Sequence, residues 1–321
     1  MIAITGASGL LGQHLVGRLA DEGHTVTAVV RKQATVFPQG VTVREADILD
    51  PMELAVALQG ADTVIHAAAL VSFNPRRKDE IYAVNVDGTR NLVNVCLREG
   101  IPTIVHISSV AALGRKPDVA ITETEPWSGL YANDYARSKY LAELEIFRGG
   151  EEGLTVSMVN PSVILSGQPL HRSSASLFDY AWKERAFYTS GMLNYVDIRD
   201  VADAVITLLR SPQPGERFTL NGGRIPYPDF FRQLARRWNK RAPFLRSPGP
   251  MVTAFGLMEE LRGLLTGREP QVTRHSAAMT TRQFQYDTTK ATQRLQLKFR
   301  ALDDTLDWCC ARYQQDVTGN K

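Results

Sequence analysis

Apolar residues in the first 165 positions follow two alternating spacings. Short runs with few polar breaks read as buried strands: Met1-Ile2-Ala3-Ile4-Thr5, Thr25 to Val30, Thr63 to Ile65, Ile104 to Ile107 and Thr155 to Val159. Between them the apolar residues recur three and four apart, as on a helix face: Leu11, Leu15, Val16 and Leu19, then Leu54 and Leu58. Two further helices are predicted from Val84 to Glu99 and from Tyr135 to Phe147. The punctuation agrees. Asp50-Pro51 supplies an N-cap and first helical residue, and Gly60 a stop. Gly100, with Pro102 beyond it, ends the helix from Val84, and Gly149-Gly150 closes the helix from Tyr135. Pro161 breaks the last strand.

Strand–helix alternation predicts an α/β fold, a doubly wound parallel sheet with right-handed crossovers and helices on both faces. Ligands on such sheets bind past the carboxyl ends of the strands, where Gly6, Arg31, Ala67, Ser109 and Pro161 all fall. Ser162 to about Ser190 leaves the sheet, Tyr195 to Asn221 returns to it with a helix starting near Asp200, and Pro226 onward builds a second lobe. The expected division is therefore 1–161 plus about 191–223 for the sheet domain, and about 162–190 plus 224–317 for a smaller, interleaved C-terminal lobe. Residues 318–321 are expected to fray.

Gly6-Ala7-Ser8-Gly9-Leu10-Leu11-Gly12 joins the first strand to the first helix. Strand, glycine turn and helix form the context of a dinucleotide cradle. Gly6 permits the turn, Gly9 lets a pyrophosphate approach the backbone, and Gly12 lets the helix pack on the strand. Free N–H groups at the helix start favour phosphate. The second strand ends in Arg31-Lys32. A basic residue there accommodates a 2′-phosphate, so NADP(H) is expected, with NAD(H) the alternative.

Tyr135 and Lys139 are four apart on a predicted helix and share one face. At about 5 Å and an effective dielectric of about 20, a lysine cation would favour the phenolate by roughly 3 kcal/mol, drawing the phenol toward the range useful for proton transfer. Ser108-Ser109, at a strand end, offers a hydroxyl to hold the oxygen that gains or loses the proton.

Composition adds limits. The 321 residues are 44% hydrophobic and 22% charged, ordinary for a globular enzyme, and the net charge of +3 is too small to imply nucleic-acid or membrane partners. The chain opens directly in a strand, with no signal peptide expected before it, and no apolar run reaches a membrane span. Cys96, Cys309 and Cys310 have no metal or disulfide spacing and are read as reduced, which fits a cytoplasmic location. The six histidines form no ligand cluster, and His66 and His106 read as structural. Arg232, Arg236, Arg237, Lys240 and Arg241 read as the solvated face of a helix whose apolar face holds Phe230, Phe231, Leu234 and Trp238. Met251, Phe255, Met258, Leu261 and Leu265 read as lobe packing.

The glycine pattern, the Tyr-x-x-x-Lys pair and the upstream serine together resemble the short-chain dehydrogenase/reductase superfamily, and its extended branch, the NAD-dependent epimerase/dehydratase group, fits best. Further resembling segments run the length of the chain: Ala46 to Asp50, His66 to Ala69, Asn85 to Thr89, Asn160 to Val163, Tyr195 to Ala202 and Tyr286 to Ala291. Gly23 to Arg31 looks most like the dihydroflavonol-4-reductase group. The sugar-nucleotide dehydratases carry an Asp-Glu pair where this chain has Val110 and Ala111, which disfavours that branch. Sugar epimerases keep Ser, Tyr and Lys and stay open, as does a dinucleotide-sensing regulator with little turnover.

The resemblance implies a Rossmann sheet, a Ser109–Tyr135–Lys139 catalytic set, and reduction of a small-molecule carbonyl to an alcohol. It implies that the cofactor lies along Gly6, Ser8, Gly9, Leu10, Gly12, Arg31, Lys32, Asp47, Ile48, Ala67, Ala68, Ala69, Ile107, Tyr135, Lys139, Pro161 and Val163. Asn85 is expected to support Lys139 through a water. Val71, Phe73, Ser109, Ser162 and part of 164–190 are expected to line an apolar to mixed substrate pocket. A homodimer through the helices at about 84–99 and 135–148 is implied in the same way.

Overall fold

The computed structural model describes residues 1–33, 35–115, 119–130, 132–168, 175–248, 256–259, 262 and 284–319. The strands are β1 (Ile2–Thr5), β2 (Val26–Val30), β3 (Thr42–Glu45), β4 (Thr63–His66), β5 (Thr103–Ile107), β6 (Ala120–Ile121), β7 (Thr155–Pro161), β8 (Val163–Leu165), β9 (Phe187–Tyr188), β10 (Met192–Asp197), β11 (Glu216–Leu220), β12 (Gly223–Pro226), β13 (Leu245–Arg246) and β14 (Gln285–Tyr286). The principal helices are α1 (Leu10–Asp21), α2 (Pro51–Leu58), α3 (Lys78–Tyr82), α4 (Gly88–Glu99), α5 (Asp134–Glu151), α6 (Ala175–Trp182), α7 (Ile198–Arg210) and α8 (Tyr227–Arg237), followed by Thr289–Arg294 and Leu302–Gly319.

Seven strands form one parallel sheet in the order β11-β7-β5-β4-β1-β2-β3. Its apolar strands need two covers because successive side chains point to opposite faces. Ile4, Ala28, Ile65, Val105 and Val159 join α1 and α7 in one core. Their neighbours Ala3, Val29, Val64, Ile104 and Met158 join α2, α4 and α5 in the other. The strand order reverses between β1 and β4, so the crevice past those two strands is the switch point where a doubly wound sheet takes its ligand. A third core packs Phe178, Phe230, Trp238 and Tyr313 beside a small sheet, β12-β10-β8.

Most predicted elements recur, and the departures have local reasons. Gly149 and Gly150 do not end α5, which runs to Glu151. They lie inside it because side chains there would meet Val93 and Leu154, or Val156, at 2.8–3.1 Å. The left-handed residue after the helix is Gly153, at φ +110. Strand β3 was not anticipated; its four residues are exposed or half-buried and give no apolar run. Met192–Asp197 pairs with β8 and β12 rather than with the large sheet, so the chain rejoins the large sheet through α7 and β11. Thr318 and Gly319 belong to the last helix, while Asn320 and Lys321 lie outside the described residues.

Phe230, Phe231, Leu234 and Trp238 are buried as the pattern required. On the opposite face Arg237 pairs with Asp303 and Asp307, and Arg232 with Asp229. Met251, Phe255, Leu261 and Leu265 lie outside the described residues, and Met258 is exposed. The three cysteines are buried and free. Among the described residues no helix is long and apolar enough to cross a membrane.

Candidate active site

The turn after β1 is built by what its glycines lack. Gly6 has φ +69, and a Cβ there would sit 2.6 Å from the Ala68 backbone, so the turn presses against the chain leaving β4. A Cβ on Gly12 would run into the Gly6 carbonyl and lie 2.8 Å from the Ala7 Cα. Gly9 caps α1 with no side-chain bond, which leaves the first-turn amides of Leu10, Leu11 and Gly12 to an outside acceptor. The Ser8 carbonyl is held by Gln13 Nε2 at 2.9 Å.

Other expected cofactor positions flank this turn. Ala67, Ala68 and Ala69 follow β4, with the Ala67 amide on the Thr5 carbonyl at 3.1 Å. Arg31 and Lys32 stand exposed at the end of β2. Asp47 follows β3 half-buried, its side chain accepting from the Leu49 amide at 3.0 Å. Ile48 is buried where α4 begins; a Cβ on Gly88 would meet it at 2.6 Å. Pro161 ends β7 and pairs with Leu220, while Val163 is 37% exposed at the start of β8.

Helix α5 delivers the proposed chemistry. Asn133 caps it, accepting from the Ala136 amide at 2.7 Å, and this sets Tyr135 in the first turn. The Tyr135 phenol lies beside the Ser109 side chain, which favours the phenolate. Ser109 is held in turn by the Ala111 amide, 3.1 Å from its Oγ. Lys139, 2% exposed, donates from Nζ to the Ile107 carbonyl at 2.8 Å. Burial draws its ammonium from 10.5 down to about 8, and the Glu143 carboxylate opposes that fall. One sequence expectation is corrected here. The Tyr135 phenol is not depressed below its ordinary value: burial raises it, and the Ser109 side chain pulls it part of the way back.

Asn85 lies in a π-helical turn, Ala83–Asp87, and is buried. Its side chain takes the Leu70 amide at 2.7 Å and donates to the Leu70 carbonyl at 3.0 Å and to Ser138 Oγ at 2.9 Å. Ser138 donates to the Tyr135 carbonyl at 2.8 Å. Asn85 therefore ties the chain after β4 to α5 through Ser138.

His66 is the structural residue its sequence suggested. Thr89 Oγ1 donates to the Asn85 carbonyl at 2.6 Å and so accepts from His66 Nε2 at 3.0 Å. That leaves His66 Nδ1 to accept from Thr5 Oγ1 at 2.7 Å. The ring is the neutral Nε2–H tautomer, and burial lowers its pKa to about 3. His106 is buried 5.1 Å away, ring to ring, with no hydrogen-bond partner among the described residues.

On the open side of Tyr135 the surface is apolar. Phe73 stands edge-on to it, ring centroids 6.1 Å apart, and Val71 and Phe73 are 42% and 45% exposed. Ser162 is buried, its amide on the Leu220 carbonyl at 2.9 Å. Of the segment 164–190, residues 169–174 lie outside the described residues.

Sequence reading missed the layer behind α5. Glu143 and Asn160 are buried, with Arg217 bonded to Glu143 across 74 positions. Only the i, i+4, i+8 spacing of Tyr135, Lys139 and Glu143 could have pointed to it. A cavity of about 400 Å³ opens beyond this layer, lined by Glu123, Trp127, Tyr140 and Lys290 among others, away from Ser109 and Tyr135.

Residues 2–221 match the NAD dependent epimerase/dehydratase family. Sterol demethylase protein B of Methylococcus capsulatus is 29% identical over 283 residues, 85% of this chain and 86% of that protein. Cinnamoyl-CoA reductase 1 of Oryza sativa is 28% identical over 257 residues, 73% of this chain and 75% of that one. The solved structure of gox2253 superposes with a TM-score of 0.83 at 29% identity, covering 98% of each chain.

Proposed function

The chain belongs to the NAD-dependent epimerase/dehydratase family, and within it we propose an NADP(H)-dependent oxidoreductase that reduces a carbonyl to an alcohol. The observation that carries this reading is the placing of the Tyr135 phenol beside the Ser109 side chain, one helical turn from a buried lysine and past the ends of the strands that flank the glycine turn. Two further supports are the reductase among the relatives and the apolar approach formed by Val71 and Phe73.

The cradle fits a dinucleotide, since no side chain at Gly6, Gly9 or Gly12 competes for the α1 amides. Those amides would hold the pyrophosphate, Arg31 and Lys32 the 2′-phosphate, Asp47 and Ile48 the adenine end. Ala67 to Ala69, Ile107, Pro161 and Val163 would wall the nicotinamide end. When bound, the dinucleotide supplies the hydride. Tyr135 gives its proton to the substrate oxygen, and its raised pKa suits a donor that stays protonated at neutral pH. Ser109 hydrogen-bonds the same oxygen and orients it. Lys139 contributes positive charge near the phenol and binds the cofactor's ribose. The substrate is a neutral, largely apolar carbonyl compound, and the active form is a homodimer through α4 and α5.

Tyr135→Phe is the direct test. Turnover should fall by about 10²–10⁴-fold, with the NADPH dissociation constant little changed. Full turnover in this variant would sink the assignment. The family also includes epimerases, which regenerate their cofactor each cycle. Stoichiometric NADPH loss across a panel of ketones, aldehydes and sugar nucleotides separates the two activities.

A further inference from the structure

Glu143 lies one helical turn past Lys139, as Lys139 lies one turn past Tyr135. Its side chain is 1% exposed. A carboxylate removed from water to this degree needs partners, and two are present. Asn160 Nδ2 donates to Oε1 at 2.5 Å, and Arg217 Nη1 donates to Oε2 at 2.6 Å. The same Asn160 nitrogen donates to the Ser109 carbonyl at 3.0 Å. Arg217 is anchored in turn, with Nε on the Glu123 carbonyl at 2.9 Å. The carboxylate is thus joined to Ser109 through one side chain and to Lys139 through its field.

We propose that Glu143 is a positioning residue that fixes Ser109 through Asn160 and supplies the counter-charge for the buried Lys139 ammonium. This rests on reading Ser109, Tyr135 and Lys139 as the reacting set. The other groups facing Lys139 do not supply that charge. His66 on β4 and His106 on β5 are buried and neutral, and Tyr135 on α5 is protonated. Arg217 on β11 opposes Glu143 and sets how much of its charge reaches the lysine.

The test reads Lys139 without turnover, so its failure is distinct from that of the Tyr135→Phe experiment. Carbon-13 NMR of the lysine ε-carbons, with Lys139→Met to assign the signal, follows its titration in the full chain. The midpoint should lie near 8 in the wild type and about one unit lower in Glu143→Gln. In Arg217→Gln it should rise, because Glu143 is then uncompensated. Opposite signs are expected of a counter-charge, whereas loss of packing would move both variants alike. The alkaline limb of carbonyl reduction should follow the two midpoints. If a single variant does not fold, the double variant Glu143→Gln/Arg217→Gln, which removes both members of the Glu143–Arg217 ion pair, carries the test. Its midpoint should still fall, since Glu143 acts on Lys139 directly. A midpoint that does not move, or that moves the same way in both single variants, overturns the proposal.

Discussion

The glycine turn and the α5 face adjoin one crevice but are made by opposite means. The turn works through absent side chains: backbone approaches backbone, and the exposed amides carry partial charges that no pH change removes. The α5 face works through buried side chains with full charges, each dependent on a partner elsewhere in the chain. The turn should therefore tolerate pH and fail on added bulk. The α5 face should tolerate changes of shape and fail on changes of charge.

The largest expected effect on cofactor affinity strikes the turn. Gly9 has φ −78 and ψ 171, which any residue adopts, and a Cβ there would lie 3.1 Å from the Gly6 carbonyl, so Gly9→Ala should keep the fold after a small shift while crowding the phosphate approach. NADPH affinity should fall about 100-fold, or about 2.7 kcal/mol, by fluorescence titration. Unchanged affinity would show that the turn is no cradle. Next comes Arg31→Ser, which should weaken NADPH about tenfold, the scale of one charge-assisted bond, and leave NADH unchanged. Tighter binding of NADH than NADPH by the unaltered protein would remove the proposed preference.

The smallest effect tests the joint between the two regions. His66 bridges Thr5 at the end of β1 and Thr89 on α4 as a neutral ring, with its pKa lowered to about 3. Below 6.5 the unfolded chain takes up a proton that the folded chain refuses, so stability falls with falling pH until the folded value is passed. Between pH 6.5 and 5.5 this one group removes about 1 kcal/mol. Thermal melts should show a shallower acid slope in His66→Asn than in the wild type, and equal slopes would refute the lowered pKa of the buried ring. Lys139 acts in the same sense at the other end of the scale. Its folded value near 8 lies below 10.5, so stability rises as the folded form loses its proton between those limits.

What could be read from sequence follows the same divide. The turn is local: Gly6, Gly9 and Gly12 lie within seven positions between a strand and a helix, and their meaning is carried by that spacing. Tyr135 and Lys139 were legible because a helix repeats every four residues. Glu143 shared that repeat, but its meaning depends on Asn160 and Arg217, which reach it only through the order β11-β7-β5. Gly149 and Gly150 misled because glycine inside a helix and glycine after one look alike in sequence. Only the approach of Val93, Leu154 and Val156 shows which was required. The direction of the Tyr135 shift was misjudged because burial, which dominates it, is a property of the folded chain.

The amide side chain of Asn85 grips both the N–H and the C=O of Leu70, much as a neighbouring strand would. A single residue thereby receives the bonding of a sheet position where the sheet has ended. The consequence is a firebreak. Insertions or replacements from Val71 onward should leave the backbone of Ala67–Ala69 where it is, so that, on the proposed reading, the substrate side could diverge while the cofactor side stays put.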